Sequence, residues 1–284
     1  MDRQVLEQVR GYPTQDGAGV QLCRVLGPQT AEVFDPILML DSFDSYEPED
    51  YQAGFPLHPH RGIETISYVL EGCMEHRDSL GHQDAVGDGE LQWMTAGSGI
   101  LHEERLPARP RLLGVQVWLN LPRRDKLCQP SYHHIGKEQI SVIPFPGGRV
   151  HLLAGKYQDQ EGFMAEHLPL NYYDVELEPG AEWACLGDPE QSLMLFTLLG
   201  EAEVQGQRIG EKTAVKLSAG ERLSLRNPGS QTARVLYLSS RRLGEPIAWG
   251  GPVVMNSRAE LEEAFRELEQ GRFLKSGVDY SSGD

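Results

Sequence analysis

The sequence predicts an all-β protein, in which two successive sets of strands are followed by one short helix. Short segments rich in β-branched and aromatic residues alternate apolar and polar positions, as strands with one buried face do. Gly72, Gly81, Gly87 and Gly89 separate such segments at hairpin intervals, which is typical of a sandwich or barrel. No sustained helical periodicity occurs before Asn256. With 284 residues and 39% hydrophobic content, the chain can bury a sizeable core.

The first half of the chain divides into strands and one polar loop. Residues 20–26 alternate well enough to form a strand, and the apolar run at 34–43 predicts a strand that pins this lead-in to the barrel. Residues 44–55 are polar and rich in acids, so we expect a loop at the barrel mouth. Residues 65–70 are β-branched and aromatic and predict a further strand.

The run Pro-Phe-Pro-Gly-Gly at residues 144–148 is the best candidate for a domain boundary. Two prolines and two glycines are not expected inside one regular element. We therefore expect a first domain of residues 1–143, a linker of 144–148 and a second domain of 149–284. The strand pattern restarts after the linker at residues 173–178, 193–199, 201–206, 215–217 and 223–226.

One amphipathic helix is predicted at residues 256–271. Ser257 and Glu260 form a capping box, in which the serine accepts from a free helical N–H and the glutamate reaches back. The apolar residues at helical spacing are Leu261, Ala264, Phe265 and Leu268. We expect this helix to pack on a barrel and to carry no chemistry. A polar tail follows Ser276.

Charge and cysteine content restrict the partners and the compartment. The formal net charge is −16, from 26 basic and 42 acidic residues, and such a surface repels phosphate backbones and anionic membranes. We therefore expect no direct nucleic-acid or membrane binding. The four cysteines are scattered without a C-x-x-C pair, which fits a reducing compartment. The chain starts without a signal-like apolar core and has no run of about 20 apolar residues, so a cytoplasmic location is expected.

Two short motifs carry the metal-binding potential of the chain. His58 and His60 lie two apart, as do His102 and Glu104, and in a strand such residues share a face. If the fold unites these pairs across the intervening 42 residues (102 minus 60), three imidazoles and one carboxylate converge. That set suits iron, nickel, copper or manganese better than calcium or thiolate-bound zinc. The alternative is a chance histidine pair in a loop.

The residues around both motifs form a longer ordered pattern. One block runs His58-Pro-His-Arg-Gly-Ile-Glu-Thr65, followed by 68–72 and 75–79, and another runs Leu91-Gln-Trp-Met-Thr-Ala-Gly-Ser-Gly-Ile-Leu-His102-x-Glu104. Together with 34–41, 115–122 and 251–256, these blocks closely resemble the pirin family of the cupin superfamily. The resemblance spans nearly the whole chain. It implies two cupin barrels of jelly-roll type, the second a degenerate copy of the first.

The resemblance also implies which carboxylate binds the metal. The implied ligands are His58, His60, His102 and Glu104. Glu64 has the H-x-H-x₃-E spacing of the general cupin motif and is the alternative, or else it holds an imidazole N–H. The second motif departs from the general cupin pattern, with Thr95 in place of proline and two extra residues between Gly97 and His102. Because these departures are pirin-like, we favour Glu104 over Glu64.

Two further residues are candidates near the metal. Arg61 follows the histidine pair and would tune the metal or meet an anionic ligand, or form a surface salt bridge. Gln116 resembles a pirin residue near the metal and would donate a hydrogen bond there. We expect no functional role for His76, His82, His133 and His134. Beyond residue 150 no H-x-H pair occurs, so we expect one metal, in the first barrel.

The resemblance implies a dioxygenase. Three histidines and one glutamate leave up to two positions open on a six-coordinate metal. Pirins of the quercetin 2,3-dioxygenase type use O₂ to open the central ring of a flavonol, with loss of carbon monoxide. Glu104 would then be both ligand and base. Fe(II) is the favoured ion, with Ni, Cu, Mn, Co or Zn as alternatives.

Two rival functions remain open at this point. The first is a non-enzymatic regulator of pirin type that senses metal redox state and binds a protein partner. The second is a dioxygenase that acts on another enolic or phenolic substrate. All three use the same ligands, so the site residues alone do not separate them.

Overall fold

Strands form most of the computed structural model, which describes residues 1–276. The first thirteen strands are β1 (Val5–Arg10), β2 (Tyr12–Asp16), β3 (Val20–Leu26), β4 (Ile37–Ser45), β5 (Phe55–His60), β6 (Ile63–Glu71), β7 (Met74–Asp78), β8 (Gln83–Val86), β9 (Glu90–Thr95), β10 (Ile100–Arg105), β11 (Leu112–Asn120), β12 (Ser131–Ile135) and β13 (Ser141–Phe145). The others are β14 (Gly148–Ala154), β15 (Lys156–Tyr157), β16 (Gln160–Glu161), β17 (Leu170–Leu177), β18 (Glu182–Leu186), β19 (Ser192–Leu199), β20 (Ala202–Val204), β21 (Gln207–Ile209), β22 (Thr213–Leu217), β23 (Arg222–Arg226), β24 (Ala233–Ser240), β25 (Ala248–Gly250) and β26 (Val253–Met255). The helices are α1 (Ala31–Phe34) and α2 (Arg258–Glu269), with single 3₁₀ turns at Pro48–Asp50, Arg123–Asp125 and Lys137–Gln139.

The predicted class, all-β with a short C-terminal helix, is confirmed. Strand β3 coincides with the predicted residues 20–26, and β6 and β19 extend the predicted strands by a few residues. Helix α2 begins after Ser257, whose hydroxyl accepts from the Glu260 amide as the capping box predicts. Helix α1 precedes Asn256, and its four residues are too few to show a helical period in the sequence. The predicted polar tail, residues 277–284, lies outside the described residues.

The chain forms two compact units, each assembled from separate stretches. The aromatic unit comprises Met1–Tyr12, Cys23–Pro36 and Glu138–Leu243. Its sheets have the orders β1-β22-β19-β24-β17-β14-β13 and β18-β23-β20-β21. Its core is largely aliphatic and holds a group of four aromatic side chains. Tyr173 and Tyr237 stack at 4.7 Å, and Trp183 Nε1 donates to the Tyr157 hydroxyl at 2.9 Å.

The run at residues 144–148, expected as a linker, is a hairpin turn within the aromatic unit. Strands β13 and β14 pair antiparallel, with Pro144 opposite Arg149 and Phe145 opposite Gly148. Strand β13 is the outermost strand of its sheet, so the missing N–H of Pro144 breaks no ladder. A division into domains at residues 1–143 and 149–284 stays a prediction, whereas the compact units follow a different partition.

The histidine unit comprises Pro13–Leu22, Ile37–Lys137 and the described residues from Gly244 onward. Its larger sheet has the order β12-β9-β6-β11-β4 and continues into β3 and β2, and its smaller sheet has the order β5-β10-β7-β8. The hairpin β25-β26 and helix α2 share a small apolar core that includes Val253, Ala264 and Phe273. Among residues 1–276, no helix has the length and apolar character needed to cross a membrane.

Candidate metal centre

Strand β10 brings the two predicted motifs together in the smaller sheet of the histidine unit. On one side it pairs antiparallel with β5, so that His102 lies opposite His58 and Ile100 opposite His60. On its other side β10 pairs with β7, which places Glu104 opposite His76. Because alternate residues of a strand share a face, this register turns both motifs toward the same interior.

The three imidazoles His58, His60 and His102 form one tight cluster. The Nε2 atoms of His58 and His60 lie 3.0 Å apart. Ring centroids are separated by 4.3 Å for His58 and His102 and by 5.0 Å for His60 and His102. One nitrogen from each ring lies within 4.8 Å of the others, so the three rings offer a common set of donor atoms.

Backbone carbonyls select the tautomer of two of these rings. His58 Nδ1 lies 2.8 Å from the Pro56 oxygen, and His60 Nδ1 lies 3.1 Å from the Pro252 oxygen. A carbonyl only accepts, so each Nδ1 carries the proton and each Nε2 keeps its lone pair. Metal-binding histidines need this arrangement, with one nitrogen donating outward and the other facing the metal.

His102 has no such outward partner. Its side chain is buried, and within the described residues neither ring nitrogen has a hydrogen-bond partner. A buried polar atom without a partner costs about 1–3 kcal/mol, so an interior nitrogen of this kind needs a reason. A metal ion held jointly with His58 and His60 supplies one.

Burial keeps two rings of the cluster, His60 and His102, uncharged. Burial, with a smaller contribution from His58, lowers the pKa of His60 from its ordinary 6.5 to about 3. Burial and then the three neighbouring histidines lower the pKa of His102 well below 6.5. Both rings are therefore neutral at physiological pH, which is the form that binds metals.

Glu104 lies next to this cluster and shares His102 with it. The carboxylate of Glu104 groups with His76 and His102, all donor atoms lying within 4.8 Å of one another. Two amides hold it: Gln92 Nε2 donates to Oε1 at 2.7 Å, and Gln116 Nε2 donates to Oε2 at 3.1 Å. Gln116 was predicted to lie near the metal, and here its amide is bound to Glu104.

Sequence reasoning missed His76. Its ring stacks on Tyr132 at 4.3 Å, its Nε2 lies 3.0 Å from Asp78 Oδ2, and its Nδ1 has no partner among the described residues. One signal was available, because the strand 74–78 alternates buried Met74, His76 and Asp78 with outward Glu75 and Arg77. Asp78 orients the ring, and pairing of β7 with β10 brings it beside Glu104.

Glu64 and Arg61, the two other candidates, bind elsewhere. Glu64 is buried, and its Oε1 accepts from the Thr95 hydroxyl at 2.7 Å, while the His58 and His60 ring N–H groups donate to carbonyls. Arg61 is buried and forms an ion pair at 2.8 Å with the partly buried Glu267, rather than a surface salt bridge. Among the described residues, neither belongs to a group of potential metal ligands.

The cluster fits a divalent transition metal. Two nitrogens that bind one ion at right angles, with bonds of about 2.1 Å, lie about 3.0 Å apart. The His58 and His60 Nε2 atoms have that separation. The neutral nitrogens, the carboxylate and the unpartnered His102 ring together match a nitrogen- and oxygen-ligated metal.

The lowered pKa of His60 predicts how stability changes with pH. Between pH 6.5 and about 3 the unfolded chain protonates His60 while the folded chain does not, so acid favours unfolding. We expect the free energy of unfolding of metal-free protein to fall over this range. His60→Gln should lower that slope by up to about 1.4 kcal/mol per pH unit. Urea titrations at several pH values measure both slopes, and equal slopes would contradict the prediction.

Comparisons with known proteins identify relatives over nearly the whole chain. The family model described as Pirin matches residues 19–119, and the model described as Pirin C-terminal cupin domain matches residues 172–274. A Pseudomonas aeruginosa protein named "Putative quercetin 2,3-dioxygenase" is 41% identical over 280 residues, covering 95% of this chain and 97% of the relative. A pirin-like protein of Caulobacter vibrioides is 40% identical over 279 residues, covering 95% and 99%.

Solved structures show the same architecture. A crystal structure of quercetin 2,3-dioxygenase from Acinetobacter baumannii superposes with a TM-score of 0.88 at 29% sequence identity. The match covers 98% of this chain and 100% of that one.

Proposed function

The chain belongs to the pirin family, and on that premise we propose that it is a metal-dependent dioxygenase. It opens the central ring of flavonols such as quercetin with O₂ and releases carbon monoxide. The observation that carries this proposal is the convergence of three imidazoles beside the amide-held carboxylate of Glu104. Relatives named as quercetin dioxygenases support the substrate class.

His58, His60 and His102 would hold the metal through one nitrogen each, with Glu104 as the fourth ligand. One ion per chain is expected, with Fe(II) favoured. When bound, the metal supplies positive charge that favours the ionised 3-hydroxyl of the flavonol, and redox chemistry for O₂. His60, His102 and Glu104 are buried, whereas His58 is half-buried.

Glu104 is placed to take the substrate proton. Its Oε1 accepts from both Gln92 and Gln116, whereas Oε2 accepts from Gln116 alone, at 3.1 Å. A carboxylate oxygen has two acceptor sites, so Oε2 keeps one open site, and this site would serve the metal and a hydroxyl proton in turn. The two amides hold the carboxylate in one orientation, which a general base requires.

Carbon monoxide release tests the proposal. Quercetin is added in air to pure protein whose metal content is measured on the same sample. Carbon monoxide in proportion to the quercetin consumed supports the dioxygenase. Binding of quercetin by metal-loaded protein without carbon monoxide would reject it and leave the ligand-binding regulator as the better account.

The two candidate carboxylates predict different metal affinities. Glu104→Ala removes the carboxylate whose oxygen lies within 4.8 Å of a His102 nitrogen, so we expect tight metal binding to be abolished or strongly weakened. Glu64→Ala removes a partner of Thr95, and its loss should cost no more than about 10–100-fold. A competition titration with a chromophoric chelator ranks the two variants. The opposite ranking would assign the ligand to Glu64.

A further inference from the structure

The C-terminal segment contacts the metal motif directly. We call residues 251–273, which include β26 and α2, the brace. The Pro252 oxygen accepts from His60 Nδ1 at 3.1 Å. The next residues continue the contact, since Arg61 bridges to Val253 in parallel and the Val254 amide donates to the Arg61 oxygen at 3.1 Å. Part of the brace is thus paired with Arg61, the residue that follows β5.

A buried lysine also links the brace to the turn that follows His60. Lys126 is 3% exposed, and its ammonium donates to the Gly62 oxygen at 2.7 Å and to the Val254 oxygen at 2.9 Å. A third bond goes to the Asn120 side chain. One cation therefore joins the turn after His60 to the brace, and three acceptors compensate for its burial.

The approach of the two backbones requires glycine at position 62. Gly62 has a φ of +79°, and a Cβ there would lie 2.0 Å from the Val254 oxygen. Any larger residue would push the brace away from the turn. Glycine at position 62 therefore allows the turn after β5 to pack directly against the brace.

Arg61 attaches helix α2 to the metal motif. Its guanidinium, buried beside the ligand His60, donates to Glu267 Oε2 and to the Phe273 oxygen, both at 2.8 Å. It also lies 4.2 Å from the centre of the Phe273 ring. Because neighbouring residues of an extended chain face opposite ways, His60 points to the histidine cluster while Arg61 points to the brace.

We propose that the brace is a positioning element of the metal centre. Its Pro252 carbonyl fixes the tautomer and orientation of His60, and the Arg61–Glu267 pair and Lys126 hold that carbonyl in place. A neutral imidazole has two tautomers, and only the one protonated at Nδ1 presents Nε2 to the metal. This inference rests on the proposed metal centre and does not require the proposed reaction.

The coupling works in both directions. If docking of the brace raises metal affinity, metal binding must strengthen docking by the same factor. Metal should therefore slow hydrogen exchange of amides in the brace, including the Val254 amide that donates to Arg61. A helix that only covers the barrel would show no such response.

Glu267→Gln tests the proposal, with Glu263→Gln as its matched control. Both remove one negative charge from α2, but Glu263 pairs with Arg266 on the helix surface and does not reach Arg61. We expect Glu267→Gln to weaken Co(II) affinity about 10-fold, within the range of outer-shell losses, and Glu263→Gln to leave it unchanged. Arg61→Lys, which keeps the charge and loses the paired donors, should weaken it similarly.

Three measurements separate positioning from general stability. Thermal unfolding of metal-free protein shows whether each variant folds. If Glu267→Gln does not fold, Arg61→Lys replaces it in the affinity measurement. The visible spectrum of the Co(II)-loaded protein reports ligand geometry and should change in Glu267→Gln. Hydrogen exchange reports the brace with and without metal. If the variants fold and keep wild-type Co(II) affinity, visible spectrum and hydrogen exchange, the positioning role of the brace is overturned and the metal centre is not. If the wild type binds no metal, the metal centre itself is overturned.

Discussion

The His58→Ala/His60→Ala double variant should lose tight metal binding, while the wild type retains one ion per chain. The two rings present their Nε2 atoms 3.0 Å apart, and each has its Nδ1 proton held by a backbone carbonyl. Removing both leaves His102 as the only imidazole of the cluster. The loss should exceed the 10–100-fold range, about 1.4–2.7 kcal/mol, that is typical of outer-shell residues. Elemental analysis after gel filtration measures the stoichiometry.

A second double variant controls for histidine content. His133→Ala/His167→Ala also removes two imidazoles, but from positions outside both groups of potential ligands. It should keep one ion per chain. Two tightly held ions in the wild type, or one that survives in the His58→Ala/His60→Ala variant, would contradict a single centre in the histidine unit.

Glu104→Gln should slow quercetin turnover far more than it weakens quercetin binding. The amide keeps the shape of the side chain and loses its charge and its capacity to take a proton. General bases contribute about 10²–10⁴-fold to rate, and a loss confined to turnover marks a group that acts in the transition state. Glu103→Gln is the matched control, because the neighbouring Glu103 faces away and pairs with Arg77 and Arg105.

Binding and turnover separate when oxygen is withheld. Under nitrogen, quercetin should bind the metal-loaded wild type and shift its absorption toward that of the flavonolate. Air should then bleach that band and release carbon monoxide, and removal of the metal should abolish both events. Glu104→Gln should show binding with slow bleaching. Wild-type rates in a Glu104→Gln sample with full metal content would exclude Glu104 as the base.

Local sequence patterns were sufficient for the fold class and for much of the site. Alternation with a period of two predicted strands such as β3, and the same period placed His58 with His60 and His102 with Glu104. The capping box at Ser257 predicted where α2 begins. These features depend on residues within a few positions of one another, so they can be read from the sequence.

Tertiary structure alone decided what lies around these four side chains. His76 joins Glu104 because β7 pairs with β10 in one register, and a shift by one residue would turn it outward. Arg61 binds Glu267, 206 residues away, and the Pro252 carbonyl orients His60 from 192 residues away. Nothing local encodes such contacts, because they depend on how separate strands and the C-terminal segment pack in the histidine unit. The sequence by itself determined the residue types of the proposed metal site and their spacing, and packing of distant segments determined the partners of those side chains.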